Sequence, residues 1–199
     1  MATTPRKRLP RAEREQRMLD AAEHVFGEHS FGSASMEEIA QRSGITKALL
    51  YQYFGSKEGL YEATVERSRA ELFRALEASV ASVPPGTPRL EAFVDGYFDY
   101  VEANRGHWWL LYGEASSAAV NAMRERNAEL IAGLLADELD GSPVAPEAIA
   151  VLAHVLVGAG EQVGRWWAAR PGVPKALVKA QFRAAASGAI AAAFRDALS

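Results

Sequence analysis

Apolar residues recur at intervals of three and four along most of the chain, and alternating β-branched runs of the kind that build strands do not occur. From Arg11 to Gly27, the positions Met18, Ala21, Ala22, Val25 and Phe26 mark one face of an amphipathic helix. "GEHSFGSAS" then reads as a turn. Ser35 stands three residues before Glu38, the Ser-x-x-Glu pattern of a capping box. It predicts a helix from Met36 that Gly44 stops after two turns. Thr46 caps the next helix, "KALLYQYF", which Gly55 ends, and Ser56 caps a third that runs from Lys57 to the break "PPGTP" at Pro84–Pro88. Further helices are predicted over Arg89–Asn104, Ala118–Leu139, Ala148–Arg170 and Lys175–Leu198. A short aromatic segment, "HWWLLYGEA", lies among them, and "GSPVAP" and "PGVP" separate the last three.

The pattern is all-α. Within it, residues 36–54 form helix, tight turn, helix, with Gly44 free to take a positive φ. Ile39, Ala40, Ile45, Leu50 and Phe54 are spaced to pack the two helices together, which is the sequence form of a helix-turn-helix. The expected organisation is a basic flexible arm at 1–10, a three-helix DNA-binding head at 11–56 and a helical body at 57–199.

Charge supports that division. The net charge of −3 argues alone against a nucleic-acid partner, but residues 1–17 hold six Lys/Arg against two Glu, a net of +4. Residues 61–199 hold 13 basic and 17 acidic side chains, a net of −4. Arg6, Lys7 and Arg8 of the arm either enter a minor groove or touch phosphates nonspecifically; as a solvated tail they do neither. There is no cysteine, which excludes disulfides and thiolate metal sites. No apolar run reaches the roughly 18 residues a membrane span needs, and the N-terminus lacks the apolar stretch of a signal peptide. A cytoplasmic protein without membrane partner is expected.

A recognition helix reads the major groove with its N-terminal residues. Thr46, Lys47, Ala48 and Leu49 are therefore the base-edge candidates. Lys47 suits guanine O6 and N7, and Ala48 and Leu49 suit a thymine methyl. The alternatives are a phosphate contact for Lys47 and a core position for Leu49. Ser35, at the start of the preceding helix, is placed in the same interface. Glu37 either accepts from a cytosine amine or stabilises its own helix dipole.

The segments "AAEHVFGEHSF", "SMEEIAQRSGITKALLYQYF" and "SKEGLY", within roughly residues 11–64, resemble the TetR-type transcriptional regulators. The resemblance implies about nine helices, a homodimer, operator DNA as partner and a small-molecule pocket in the C-terminal body. It also implies that Tyr51 and Tyr53, about 200° apart on the helix, donate hydroxyls to phosphates on opposite walls of the groove, with Gln52 between them. Lys57, just past the cap Ser56, is placed at a backbone phosphate. Without that frame, core packing with a satisfied hydroxyl serves the tyrosines as well. Phe54 and Tyr61 are expected inside the head.

In the body, Phe93, Tyr97, Trp108, Trp109, Tyr112 and Trp166, with His154 and Glu161, are the candidates for an apolar effector pocket. Plain core packing is the rival reading of the same rings. The three glycines of "GAGEQVG" suggest close helix approach or a kink beside that pocket. The small face Ala184, Gly188, Ala191 and Ala192, together with the helix before it, is the expected dimer interface. No Ser sits in a nucleophile elbow, and the four histidines are not at metal-ligand spacing with carboxylates. The expectation is a ligand-responsive regulator, a repressor released by its effector, with no metal, cofactor or catalysis. The competing class is an all-helical enzyme or a lipid- or small-molecule-binding module with a vestigial head.

Overall fold

The computed structural model describes residues 10–29, 31–112, 118–138 and 144–197. The arm residues Arg6, Lys7 and Arg8 lie outside them. Among the described residues are eight α-helices and one 3-10 turn, and no strand. The chain divides into two compact units, residues 1–68 and 69–199, with the boundary inside one long helix.

The first unit holds α1 (Arg11–Glu28), α2 (Met36–Ser43), α3 (Lys47–Phe54) and the opening turns of α4 (Lys57–Val80). Local chemistry sets each boundary. Ser35 Oγ accepts the Glu37 N–H at 3.2 Å and Thr46 Oγ1 accepts the Leu49 N–H at 3.3 Å, satisfying donors that a helix start leaves orphaned. Gly44 (φ 67°) and Gly55 (φ 76°) take the left-handed conformation that ends α2 and α3. The reciprocal half of the capping box does not form. Glu38 turns instead to Arg42, 2.6 Å away, and that guanidinium also joins Glu28. Met18, Ala22, Val25, Phe26, Ile39, Leu50 and Leu60 are fully buried and pack the helices together. Phe26, Phe31 and Tyr61 form a three-ring cluster with centroids 5.1–6.1 Å apart. Arg67 of α4 grips α1 through Asp20 at 2.5 Å and Glu23 at 2.7 Å, and the Ser68 hydroxyl donates to Glu23 at 2.7 Å.

The second unit holds the rest of α4, α5 (Thr87–Ala103), the 3-10 turn Trp108–Tyr112, α6 (Ala118–Glu138), α7 (Pro146–Ala168) and α8 (Lys175–Ala197). Both α5 and α7 start two residues earlier than their apolar periodicity predicts. Pro88 and Pro146 sit in the first turn, where a missing N–H costs no hydrogen bond. The core gathers Leu72, Leu76, Phe98, Val101, Trp108, Leu111, Leu135, Ala153 and Trp167. α8 lies along α5, and Lys175, Lys179 and Arg183 face Glu102, Asp99 and Asp95 in a ladder of ion pairs.

Candidate functional site

Two surfaces and one cavity collect the side chains singled out by the sequence. On α3, Leu50 is fully buried and anchors the helix, which leaves Thr46, Lys47, Ala48, Tyr51 and Gln52 exposed. Lys47, Ala48, Tyr51 and Gln52 form one stripe, since residues three and four apart share a helix face. Leu49 is half-buried at its edge. Tyr51 is 41 % exposed, a large value for a ring unless something covers it. Lys47 lies 3.7 Å from Glu37, so a carboxylate already faces the leading cation of the stripe.

Tyr53 differs from Tyr51. Its hydroxyl accepts from Arg14 Nε at 3.1 Å, and the guanidinia of Arg11 and Arg14 stand 5.4 and 5.9 Å from its ring centre. An oxygen that accepts from Arg14 keeps its own proton for an outside acceptor, beside two arginines. Arg11 and Arg14 are absent from the residues expected at this surface. Their spacing of three on the helix before the helix-turn-helix was the available signal. The Lys57 ammonium donates to the Gly32 carbonyl at 3.3 Å and sits 4.8 Å from the Phe31 ring centre, tying α4 to the α1–α2 turn. Ser35 is likewise engaged, as the α2 cap. The fold also brings Glu28, His29 and Glu38 together, a grouping that no spacing along the chain displays. Arg42, bonded to both carboxylates, already supplies the positive charge there.

In the second unit a cavity opens among α4, α5, α6, α7 and α8. Of the residues named as pocket candidates, Phe93, Tyr97, Tyr112 and Glu161 line it. None of the four indoles does. Trp108 is buried against Tyr97, Tyr100 and Tyr112, and Trp167 is buried against Phe98 with its N–H on the Val173 carbonyl at 2.9 Å. Trp109 and Trp166 are exposed. His154 is also on the surface, 3.2 Å from Glu125, which leaves it no part in the cavity wall. The lining that sequence reasoning missed includes Leu76 of α4, Arg124 and Asn127 of α6, and Phe182 and Ala186 of α8. Arg124 and Asn127 fall at the core spacing of α6, among Val120, Met123 and Ile131. A polar residue on an apolar stripe was the readable signal.

The glycines of α7 separate by position. Gly160 and Gly164 receive the Tyr97 ring, whose hydroxyl donates to the Gly160 carbonyl at 2.7 Å, whereas a side chain at Gly158 would meet nothing within 4 Å. Burial pushes the Tyr97 and Tyr112 phenols above their ordinary range, so both are neutral donors and acceptors. Glu161, 8 % exposed, is held by Arg124 through bonds of 2.8 and 2.7 Å and by Arg165 at 3.2 Å. The free volume of the cavity is about 40 Å³. That admits a few waters, whereas drug-sized ligands occupy roughly 300–1,000 Å³. An occupant has to part the walls.

The third feature is the outer side of α7 and α8. Val151, Val155, Trp166 and Leu177 are exposed there, and the last three line a groove of about 430 Å³. Ala184, Gly188 and Ala191 are exposed on α8, and Ala192 is half-buried. Among the described residues no helix is long and apolar enough to cross a membrane.

Known proteins share this arrangement. Residues 18–64 match the N-terminal model of the bacterial regulatory proteins of the tetR family, and residues 87–188 match the tetracyclin repressor-like C-terminal domain. The HTH-type transcriptional activator FasR of Mycolicibacterium smegmatis is 36% identical over 105 residues, 53% of this chain and 48% of that protein. The HTH-type transcriptional regulator BetI of Serratia proteamaculans is 30% identical over 146 residues, 70% of this chain and 73% of that one. Several of the curated relatives are matched over about half their length. A TetR-like transcriptional regulator from Rhodococcus sp. RHA1 superposes with a TM-score of 0.77 at 32% identity, covering 92% of this chain and 99% of that one. With both of its units matched, the chain belongs to the TetR family of bacterial regulatory proteins.

Proposed function

We propose that the protein is a cytoplasmic, homodimeric transcriptional repressor that binds a palindromic operator through α3 and is released when an apolar or aromatic effector enters the cavity of the second unit. It works by binding and not by catalysis. The observation that carries the reading is the exposed stripe Lys47, Ala48, Tyr51 and Gln52 on a helix locked by the buried Leu50. Side chains on such a helix reach base edges while the scaffold holds register. Lys47 and Ala48 read bases, and Tyr51 and Tyr53, the latter with Arg11 and Arg14, take phosphates on the two sides.

An occupant too large for a 40 Å³ space displaces wall side chains such as Leu76, and the effector favours a conformer with lower operator affinity. Two copies join through the outer side of α7 and α8, where Val155, Leu177, Ala184 and Gly188 are exposed.

The test is selection of DNA fragments by the purified protein, followed by a promoter reporter. Dyad-symmetric fragments with half-sites about one helical turn or a multiple apart, and higher transcription when the gene is deleted, are expected. Fragments without symmetry refute the dimeric operator complex. FasR is named an activator; lower transcription on deletion would give this chain that sign and overturn repression.

A further inference from the structure

We propose that the effector carries a single anionic head on its apolar body, and that Arg124 and Asn127 receive that head. The inference rests on the cavity being the effector site and adds the chemical class of what fills it.

The polar groups of the cavity wall are concentrated rather than dispersed. Arg124 and Asn127 lie one turn apart on α6, opposite Glu161 of α7 and beside the Tyr112 phenol. The remaining wall, from Leu76, Leu90, Phe93, Val94 and Ile131, is apolar. A molecule that fills this space is therefore apolar over most of its length and polar at one end.

The sign of that end follows from a count of charges. A buried carboxylate needs one counter-charge. Glu161 has two, Arg124 and Arg165. The neutral phenols of Tyr97 and Tyr112 add none, so the cavity wall carries one charge of each sign, Arg124 and Glu161, while the half-exposed Arg165 pairs with Glu161 from outside the wall. Arg165 is four residues after Glu161 on the same helix and is able to keep it neutralised alone. Arg124 also has donors in reserve. Its Nε and Nη2 serve Glu161, while Nη1 makes one long contact, 3.4 Å, to Asn121 Oδ1. The Asn127 amide has no hydrogen-bond partner among the described residues, although it lines the cavity. A carboxylate placed there gains charge-assisted hydrogen bonds from a guanidinium, the strongest class available in such a site. An ammonium head would meet the Arg124 guanidinium in the wall, with Glu161 already paired. A neutral head would gain no charge-assisted bond from Arg124.

The experiment titrates the full-length protein by calorimetry with three ligands that share one chain: decanoate, decanol and decylamine. Decanoate should bind at least about tenfold more tightly than decanol, the gain of one charge-assisted contact, and decylamine most weakly. Arg124→Gln should bring decanoate to within about twofold of decanol when both are measured on that variant. Glu161→Gln, which removes the competitor for Arg124, should tighten decanoate beyond the parent protein; misfolding cannot produce such a gain. Equal affinity for the three ligands, tightest binding of decylamine, or a carboxylate preference that survives Arg124→Gln would overturn the proposal while leaving the cavity as an effector site. Failure of all three ligands to bind would remove the cavity reading together with it.

Discussion

The hydroxyl of Tyr97 stands where a side chain at position 164 would begin: a Cβ on Gly164 would lie 2.6 Å from it and 3.2 Å from Trp108 Cζ2. Glycine in a helix interior ordinarily costs roughly 0.5–1 kcal/mol relative to alanine. Here the missing atom lets the Tyr97 ring lie against α7 and bond the Gly160 carbonyl. Gly164→Ala should therefore destabilise by about 1–3 kcal/mol, measured by urea unfolding, where Gly158→Ala should stabilise. Adding Tyr97→Phe removes the crowded oxygen, so the double variant should be less destabilised than the two single losses combined. Strict additivity would mean that the ring relaxes away from the collision at no cost.

Tyr51 and Tyr53 should respond differently to loss of their hydroxyls. Tyr51 is exposed, and Tyr51→Phe should leave the unfolding curve unchanged while weakening DNA binding by roughly 1.5–3 kcal/mol, the range for a hydrogen bond to a charged acceptor. Tyr53→Phe should weaken DNA similarly and also lose the bond from Arg14, lowering stability by about 1 kcal/mol. Both losses should be alike for all DNA sequences, since phosphates carry no sequence information. Lys47→Ala should instead change which bases are preferred. Fluorescence anisotropy on operator and scrambled duplexes separates these outcomes; unaltered affinity in both phenylalanine variants would return the rings to a packing role.

The contrast between those tyrosines and the body aromatics explains what was legible in the sequence. The helix-turn-helix could be read to the residue because short-range chemistry draws it: Ser35 and Thr46 cap, and Gly44 and Gly55 take positive φ. The all-α class followed from periodicity alone. The cavity was only half legible. Phe93, Tyr97, Tyr112 and Glu161 were found, but the indoles were misplaced because the rotation of a helix about its axis is set by tertiary packing. Trp166 and His154 share α7 with Glu161 and yet look outward. Trp108 and Trp109 sit in a 3-10 turn, where adjacent residues diverge, one buried and one exposed. Charged contacts across long separations, such as Arg14 with Tyr53 or Arg124 with Glu161, have no local signature.

The ladder between α5 and α8 gives a pH dependence with a definite sign. Burial alone would raise the Asp99 carboxyl, but hydrogen bonds from Lys179 and Lys175 outweigh it and hold it below its ordinary value of 3.8. The same contacts raise the ammonium of Lys175 to about 12, with Glu102 the larger partner. A carboxylate depressed on folding adds stability that is complete above its unfolded pKa and is lost as pH falls through the folded one. The contribution of Asp99 should therefore be constant from pH 7 to about 5 and fade below about 4. Because the ladder is mostly exposed, solvent screening should keep its contribution small. Urea unfolding of the parent and Asp99→Asn from pH 7 to 3 should give curves that converge at the acid end; a gap that widens in acid would contradict the assignment.

The apolar side of α7 bears on assembly. Val151 and Val155 are 65 and 55 % exposed, and Leu177 of α8, which lines the same groove as Val155, is 52 % exposed. Aliphatic side chains grouped at that exposure mark an interaction surface. Val155→Glu should leave the fold of the single chain intact, because the new carboxylate meets solvent there. Across a two-fold axis the same charge would be buried against its own copy without a partner, at a cost of several kcal/mol, and the dimer should dissociate. Gly188→Glu tests α8 in the same way, since a Cβ at that position meets nothing within 4 Å in the single chain. Sedimentation equilibrium should find monomers with unchanged helical content by circular dichroism. Operator affinity should fall by about 10²-fold or more, the loss expected when two linked heads become separate ones. A variant that remains dimeric and binds operator undiminished would move the interface off this face, and with it the role proposed for Ala184, Gly188, Ala191 and Ala192.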